Sequence, residues 1–403
     1  MAPEDRIDVR VLRLCSVYEA PPESIVRSSD LDPVGGMQVH TARLTSALDA
    51  LGVAQTVLTA RRRAAPRAEL VGERSVVIRS GVAIRWFRQL YGLASVPEVL
   101  RIRDVDLVHV HLGEDIAAPA LAWLAATRAR VPLVATIHCS VGATLQTHDV
   151  RSAVVRALGR PGHDRVMRSA RALFTLSEAT SEHLVSSGVP RSRIRSLPFG
   201  IDLPTDPDGA GTVPVDRRRT VLFVGRLVRE KGVLDLIAAF ERLRTTDADL
   251  VIVGDGPLRR RVRAASRGLP RGRIRAIGSI PHARVPDVLR RARVVVVPSW
   301  FEERGRVVLE SLAEGVPVIA AKVGGIRETI RDGENGVLVP ARRPDALAEA
   351  LDRVLTDDAL VRSMSAAGPP GVADQSLERM AAVTIETYRE VLGRARPELE
   401  VVA

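Results

Sequence analysis

"VLFVGRLVREKGVLDLI" occupies residues 221 to 237 and holds one of only two lysines in a chain of 403 residues whose other 57 basic residues are arginine. Val221 to Val224 form a short apolar run, the pattern of a strand buried on both faces. Val233, Leu236, Ile237 and Phe240 then recur at i, i+3, i+4 and i+7, one face of a helix beginning near Gly232. Strand, loop and helix form the repeating unit of an open α/β domain, and the loop lies at the carboxyl edge of the sheet, where such domains bind ligands. Arg226 and Lys231 fall in that loop. Free backbone N–H groups and the helix dipole favour an anion there, and a forked guanidinium beside a compact ammonium makes a clamp suited to a diphosphate. It is not a Walker loop, because Lys231 precedes its glycine and no Ser or Thr follows as a magnesium ligand. The plainer alternative is two solvated cations on a surface loop, which fits poorly a lysine kept where arginine replaces almost every other.

The same alternation extends along the chain. "VRVLRLC" (9–15), "VAQTVLTA" (53–60), "LVHVH" (107–111), "LVATIH" (133–138) and "ALFTLS" (172–177) read as strands, with helical spacing between most of them. Residues 197–219, "LPFGIDLPTDPDGAGTVPVDRRR", have the Pro, Gly and Asp content of a linker. Beyond them "TVLFVG", "LVIVG", "IRAIG", "RVVVVPS" and "VPVIAA" restart the pattern. The expected fold is α/β, with two doubly wound Rossmann-like domains at 1–197 and 198–375 and a C-terminal helix within 376–403 free to cross back to the first domain. Hydrophobic residues at 46% with charged residues at 27% describe a soluble globular protein, and no apolar run reaches the ~20 residues of a membrane span. Membrane association is therefore not expected. The N-terminus lacks a long apolar segment, and Cys15 and Cys139 stand alone, so a reducing, cytosolic location is expected. A net charge of +11 raises nucleic acid as a partner, but the arginines are scattered and aromatics amount to only 3%, which argues against it.

A second constellation follows the strand "RVVVVPS". In "PSWFEERGRVVLESLAEG" (298–315), Glu302 and Glu310 stand eight apart. With a helix starting near Gly305, Glu302 lies in the loop and Glu310 on the second turn, so the two carboxylates address different parts of one ligand. Carboxylates accept hydrogen bonds from sugar and ribose hydroxyls.

"VGRLVREKG", "VGDGP", "VPSWFEERGRVVLESLAEGVPVIAAKVGG" and the N-terminal "GGMQVHTARLTSAL" together resemble the family-4 retaining glycosyltransferases, with their GT-B fold of two domains facing across a cleft. The resemblance covers nearly the whole chain and implies the following roles. Arg226 and Lys231 bind the donor's diphosphate, Glu302 contacts the hydroxyls of the transferred sugar, and Glu310 accepts the ribose hydroxyls. Gly254, Gly256 and the backbone near Ile280 and Pro281 border the nucleobase. Gly35 and Gly36 form the flexible loop approaching the phosphates, and His138 contacts the sugar. The catalytic set is then Arg226, Lys231, Glu302 and His138, with no enzyme nucleophile, no metal and no cofactor; the nucleotide sugar, expected to be a UDP-sugar, is a co-substrate. The family has Gly-Phe-Gly after its first glutamate, whereas this chain has Glu303-Arg304-Gly305-Arg306, a departure that leaves the donor sugar open.

"DVD" (104–106) imitates the metal motif of another transferase fold but leads into "LVHVH" and reads as a strand start. His109 and His111 are read as facing opposite sides of that strand, poorly set for one metal, with His111 turned toward the cleft. "DPVGGMQVH", "VHLGEDIAAPALA" and "ATIHCS" are most similar to transferases of aminoglycoside antibiotic biosynthesis, which implies an aminocyclitol or pseudodisaccharide acceptor such as paromamine. A polycationic acceptor needs carboxylates, and Glu114 and Asp115, with His111, are the candidates; a helix N-cap is the alternative for that acidic pair. Other acceptors remain open: an inositol phosphate, or a cell-envelope lipid reached through "IRWFRQLYGLASVPEVLRIR" (84–103), which also reads as a core helix. So does a non-enzymatic nucleotide-sugar sensor. Oligomeric state is open.

Overall fold

The computed structural model describes residues 8–16, 18, 36–61, 66–81, 91–113, 116–138, 150–204, 219–268 and 273–393. It divides into two compact units. The first is built from the described residues of Met1–Ala20, Gly36–Gly200 and Leu377–Ala403, and the second from those of Ile201–Ser376.

The first unit holds β1 (Arg10–Leu14), β2 (Ala54–Ala60), β3 (Ala68–Val71), β4 (Ser75–Ser80), β5 (Leu107–Leu112), β6 (Leu133–Ile137), β7 (Ala172–Thr175) and β8 (Ile194–Ser196), in the order β3-β4-β2-β1-β5-β6-β7-β8. Every pair is parallel except β3 with β4. The strands read from sequence are present, and β3, β4 and β8 are additional. β3 and β4 escape notice because they are short and alternate, β3 between exposed and half-buried positions and β4 between buried and half-buried ones over its first four residues, as an antiparallel edge allows. The helices Gly36–Ala50, Tyr91–Arg101, Ala117–Ala129, Val150–Ser169 and Glu178–Ser186 connect the parallel strands. Leu12, Val108, Val110, Leu121, Ala122 and Leu173 centre the main core. The C-terminal helix Leu377–Val391 belongs to this unit, packs against Gly36–Ala50, and buries Met380, Ile385 and Tyr388.

The second unit is a six-stranded sheet of β9 (Thr220–Val224), β10 (Asp249–Val253), β11 (Arg273–Gly278), β12 (Val294–Val297), β13 (Val318–Ala321) and β14 (Gly336–Val339), in the order β11-β10-β9-β12-β13-β14. All pairs are parallel. The helix Val233–Phe240 buries Val233, Leu236, Ile237 and Phe240, the apolar face its spacing specifies. In each sheet the strand order reverses once, between β1 and β5 and between β9 and β12. Ligands of open α/β sheets bind beyond the carboxyl ends of the strands at these reversals. No described helix is long and apolar enough to cross a membrane.

Candidate active site

In the second unit the loops after β9 and β12 meet at the reversal. The chain leaves β9 through Gly225 and the exposed Arg226, makes a 3-10 turn over Arg229–Lys231, and enters the helix through Gly232 at φ +66°. A Cβ on Gly232 would stand 2.0 Å from the carbonyl oxygen of Pro298, so only glycine allows both the left-handed backbone and the contact. The Trp300 N–H donates to the Glu230 carbonyl at 2.8 Å and fastens the two loops. This approach delivers the Lys231 ammonium to Glu302 Oε1, which also accepts from Ser299 Oγ at 3.1 Å. The side chains of the pair are only 23% and 16% exposed. Among the described residues the Arg226 side chain has no bonding partner, so one of the two expected phosphate-binding cations is unengaged and the other is held by a carboxylate.

Gly254, at the end of β10, would place a Cβ 1.8 Å from the Gly225 carbonyl oxygen, and its N–H donates to the Gly278 carbonyl at 2.8 Å. The ends of β9, β10 and β11 are thereby pinned together, with Gly256 two residues on and the half-buried Ile280 just past β11. Glu310 lies on the helix Arg306–Ala313. Its Oε1 accepts from Arg306 Nη1 at 2.9 Å and lies 3.4 Å from His282 Nε2, while Arg306 Nη1 is 3.3 Å from that same nitrogen. The Glu303-Arg304-Gly305-Arg306 departure thus adds a guanidinium to the carboxylate expected at the ribose, and Arg304 ties to Glu328 at 3.1 Å. Sequence reasoning missed Arg306 as a partner of Glu310, although their i,i+4 spacing announces it.

The carboxyl edge of the first sheet is built differently. His109 and His111 on β5 lie on one face, with ring centroids stacked 4.6 Å apart. The expectation of opposite sides is therefore corrected: the strand period is two, so residues i and i+2 share a face. His111 Nδ1 is 3.0 Å from Nε2 of His138, which follows β6. Arg13, beside His109 in the β1–β5 register, sends Nη2 to His111 Nε2 at 2.6 Å. His109 is held by Tyr388 Oη at 2.6 Å and Thr136 Oγ1 at 2.7 Å. His40 donates from Nδ1 to the Phe199 carbonyl at 3.2 Å. Burial first, and the Arg13 charge second, push His109 and His111 well below the usual histidine range and His138 down to about 3. The rings are neutral at physiological pH. His40, His111 and His138 offer ring nitrogens within 4.8 Å of one another, the number of donors a metal site would need. An arginine in the middle of the apolar strand "VRVLRLC", flanked by Leu12 and Leu14, is the signal that could have announced Arg13.

Gly36 opens the first helix. Gly35, Glu114 and Asp115 lie outside the described residues, as do Cys139 and residues 84–90 of the aromatic segment. The "DVD" carboxylates sit at the opposite, amino edge of the first sheet. There Asp106 Oδ2 accepts from the Arg10 N–H at 2.8 Å, and Asp104 lies 3.8 Å from the Arg10 guanidinium.

Comparison with known proteins bears on the family and the fold. Residues 35–200 match the glycosyl transferase 4-like domain and residues 210–369 match glycosyl transferases group 1. The chain is 30% identical to a 2-deoxystreptamine glucosyltransferase of Streptomyces kanamyceticus, over 89% of this chain and 100% of that protein. It is also 30% identical to a phosphatidyl-myo-inositol mannosyltransferase of Mycobacterium tuberculosis, over 90% of this chain and 95% of that one. Among solved structures it resembles Anabaena HepE in complex with UDP-glucose, with a TM-score of 0.71 at 18% identity, covering 95% and 100% of the two chains.

Proposed function

The chain belongs to the glycosyltransferases that join a 4-like domain to a group 1 domain, and from that premise we propose that it transfers a sugar from a UDP-sugar to an aminocyclitol or pseudodisaccharide such as paromamine, as in aminoglycoside antibiotic assembly. The observation that carries the reading is the Lys231–Glu302 pair at the reversal of the second sheet. A donor diphosphate competes with Glu302 for the ammonium. When Lys231 turns to the phosphate, Glu302 is released to accept a hydroxyl of the sugar. Arg226 adds a second cation and Glu310 takes the ribose. As the C1–O bond to phosphate breaks, negative charge grows on the leaving oxygen, and fixed cations and amides stabilise it. The acceptor oxygen attacks C1 from the face the diphosphate leaves, its proton passes to the departing phosphate, and configuration is retained. His138 donates to the sugar. The reaction needs no divalent metal, since Arg226, Lys231 and backbone N–H groups carry the charge.

The UDP donor is supported by the UDP-glucose complex of HepE, and the acceptor by the 2-deoxystreptamine glucosyltransferase. Glu114 and Asp115 remain the proposed contacts to acceptor ammonium groups; Glu114→Gln and Asp115→Asn are expected to raise acceptor KM and leave donor hydrolysis intact. A second reading, transfer to an inositol-bearing acceptor, is favoured by the equally similar mannosyltransferase. The test is turnover of UDP-sugars with paromamine, 2-deoxystreptamine or an inositol phosphate, in EDTA, with NMR reading the anomeric configuration of the product. Preference for the inositol acceptor overturns the amine assignment. Inversion, or activity lost in EDTA and restored by manganese, overturns the mechanism. Donor binding with neither transfer nor hydrolysis returns the chain to a sensor.

A further inference from the structure

Arg13 is 1% exposed, and among the described residues it has no carboxylate partner. Its guanidinium donates from Nη1 to Thr45 Oγ1 at 2.7 Å and Gln55 Oε1 at 3.0 Å, and from Nη2 to His111 Nε2 at 2.6 Å. A buried charge without a counter-charge is costly and calls for a role. Arginine has five donors and no acceptor, so this one residue fixes the protons beyond it. His111 Nε2 must hold a lone pair, which puts the proton of His111 on Nδ1. That N–H faces His138 Nε2 at 3.0 Å, so His138 must accept there and carry its own proton on Nδ1. Each donation makes the next N–H a stronger donor, as chains of hydrogen bonds polarise one another.

We propose that Arg13 is a positioning residue: acting through His111, it holds His138 as the neutral Nδ1–H tautomer and polarises that N–H as a hydrogen-bond donor to a substrate oxygen. The identity of that oxygen as one on the transferred sugar rests on the proposed function; the tautomer does not. Among the described residues the groups facing the relay are His109 beside His111, His40 from the first helix, Tyr388 from the C-terminal helix, and Cys15 and Tyr18 near β1. None supplies a carboxylate that would favour a protonated ring. A metal shared by His40, His111 and His138 is the competing use of the cluster. It would have to displace the proton between His111 and His138 while a guanidinium occupies the other nitrogen of His111.

The test uses the full chain labelled with 15N-histidine, without substrate, and long-range 1H–15N correlations from pH 5 to 8, with His111→Gln and His138→Gln spectra for assignment. The expected result is Nδ1–H with a bare Nε2 on both His111 and His138 across the range. Arg13→Lys retains a donor and is expected to keep these tautomers. Arg13→Met, where it folds, is expected to release them and lower kcat ~10- to 100-fold, as loss of an outer supporting group does, with donor KM nearly unchanged. An Nε2–H or imidazolium form of His138 in the wild-type protein overturns the proposal, whether or not the enzyme transfers sugar. So does stoichiometric binding of added zinc with loss of the His111 Nδ1 proton. If the tautomers hold but no transfer is found with any acceptor, the relay stands and the proposed function falls.

Discussion

At the carboxyl edge of the second sheet Lys231 faces Glu302 and Arg306 faces Glu310, whereas at the same edge of the first sheet Arg13 is enclosed, among the described residues, with hydroxyl, amide and imidazole partners. The first arrangement consists of paired charges, one pair joining two loops and one on the opening turns of a helix. Such pairs exchange partners at modest cost, because an incoming anion replaces the carboxylate and the freed carboxylate finds a hydroxyl. The second arrangement is a fixed charge behind neutral rings, which exchanges nothing and keeps its geometry. On the proposed function, one edge grips and releases an anion and the other presents preset donors.

The largest effect is expected at the exchangeable pair. Lys231→Ala is expected to lower kcat by ~10²-fold or more, the loss associated with removing one group that stabilises developing charge. Its melting temperature should move far less than its activity, since Glu302 keeps the Ser299 hydroxyl as a donor when the ammonium is removed. Glu302→Gln should affect transfer strongly while leaving affinity for UDP intact or improved, because Lys231 no longer has a competing carboxylate. Equal losses of activity and melting temperature in Lys231→Ala would erase the contrast between the two edges.

The fixed edge should reveal itself in acid. His138 has a folded-state pKa of about 3, below the ~6.5 of an unfolded histidine. Between those values the unfolded chain binds more protons, so stability rises with pH across this window and is lost as pH falls from 6.5 toward 3. At pH 5 His138 alone costs on the order of 2 kcal/mol, and His109 and His111 shift in the same direction. Chemical denaturation at pH 7 and pH 5 measures this. His138→Gln should lose less stability on acidification than wild type, and an unchanged pH dependence in that variant would remove His138 from the account.

How far each edge could be read from sequence follows the same division. Arg226, Lys231, Glu302 and Glu310 lie in two short stretches, each joined to a strand and a helix with clear apolar periodicity, so spacing alone placed them on loops and a helical turn. The histidine cluster draws on positions 13, 40, 109, 111 and 138, scattered over a sheet and its covering helix, and Tyr388 arrives from the far end of the chain. No local pattern links them. The faces of His109 and His111 could have been read, since a two-residue step on a strand keeps the side. The edge strand β3 and its neighbour β4 were hidden because they alternate.

A smaller effect is expected where the chain departs from its family. Arg306→Ala removes a charge-assisted hydrogen bond from Glu310, worth about 1.5 kcal/mol, and donor KM is expected to rise ~10-fold. The change should appear with UDP alone in a binding titration, since Glu310 is assigned to the ribose and not to the sugar. No change in UDP affinity would mean that Glu310 keeps its position without Arg306, and that the guanidinium serves the transferred sugar.

The smallest effect is expected at "DVD", which turns the contrast between edges into one between the two ends of a single sheet. Asp104 and Asp106 lie at the amino ends of β1 and β5, where Asp106 caps the Arg10 N–H and both carboxylates approach its guanidinium. Ligand chemistry in an open α/β sheet belongs to the opposite end of the strands, so these carboxylates have only a local structural task. Asp104 has a side chain 92% exposed, and exposed ion pairs contribute ~0–1 kcal/mol. The double variant Asp104→Asn, Asp106→Asn keeps an acceptor for the backbone N–H. It is therefore expected to stay within about twofold of wild-type turnover, in EDTA or manganese alike, with stability lowered by no more than ~1 kcal/mol. A loss of activity beyond tenfold, or a manganese response that disappears in this variant, would move the chemistry to the amino edge and break the assignment of function to the carboxyl edges of both sheets.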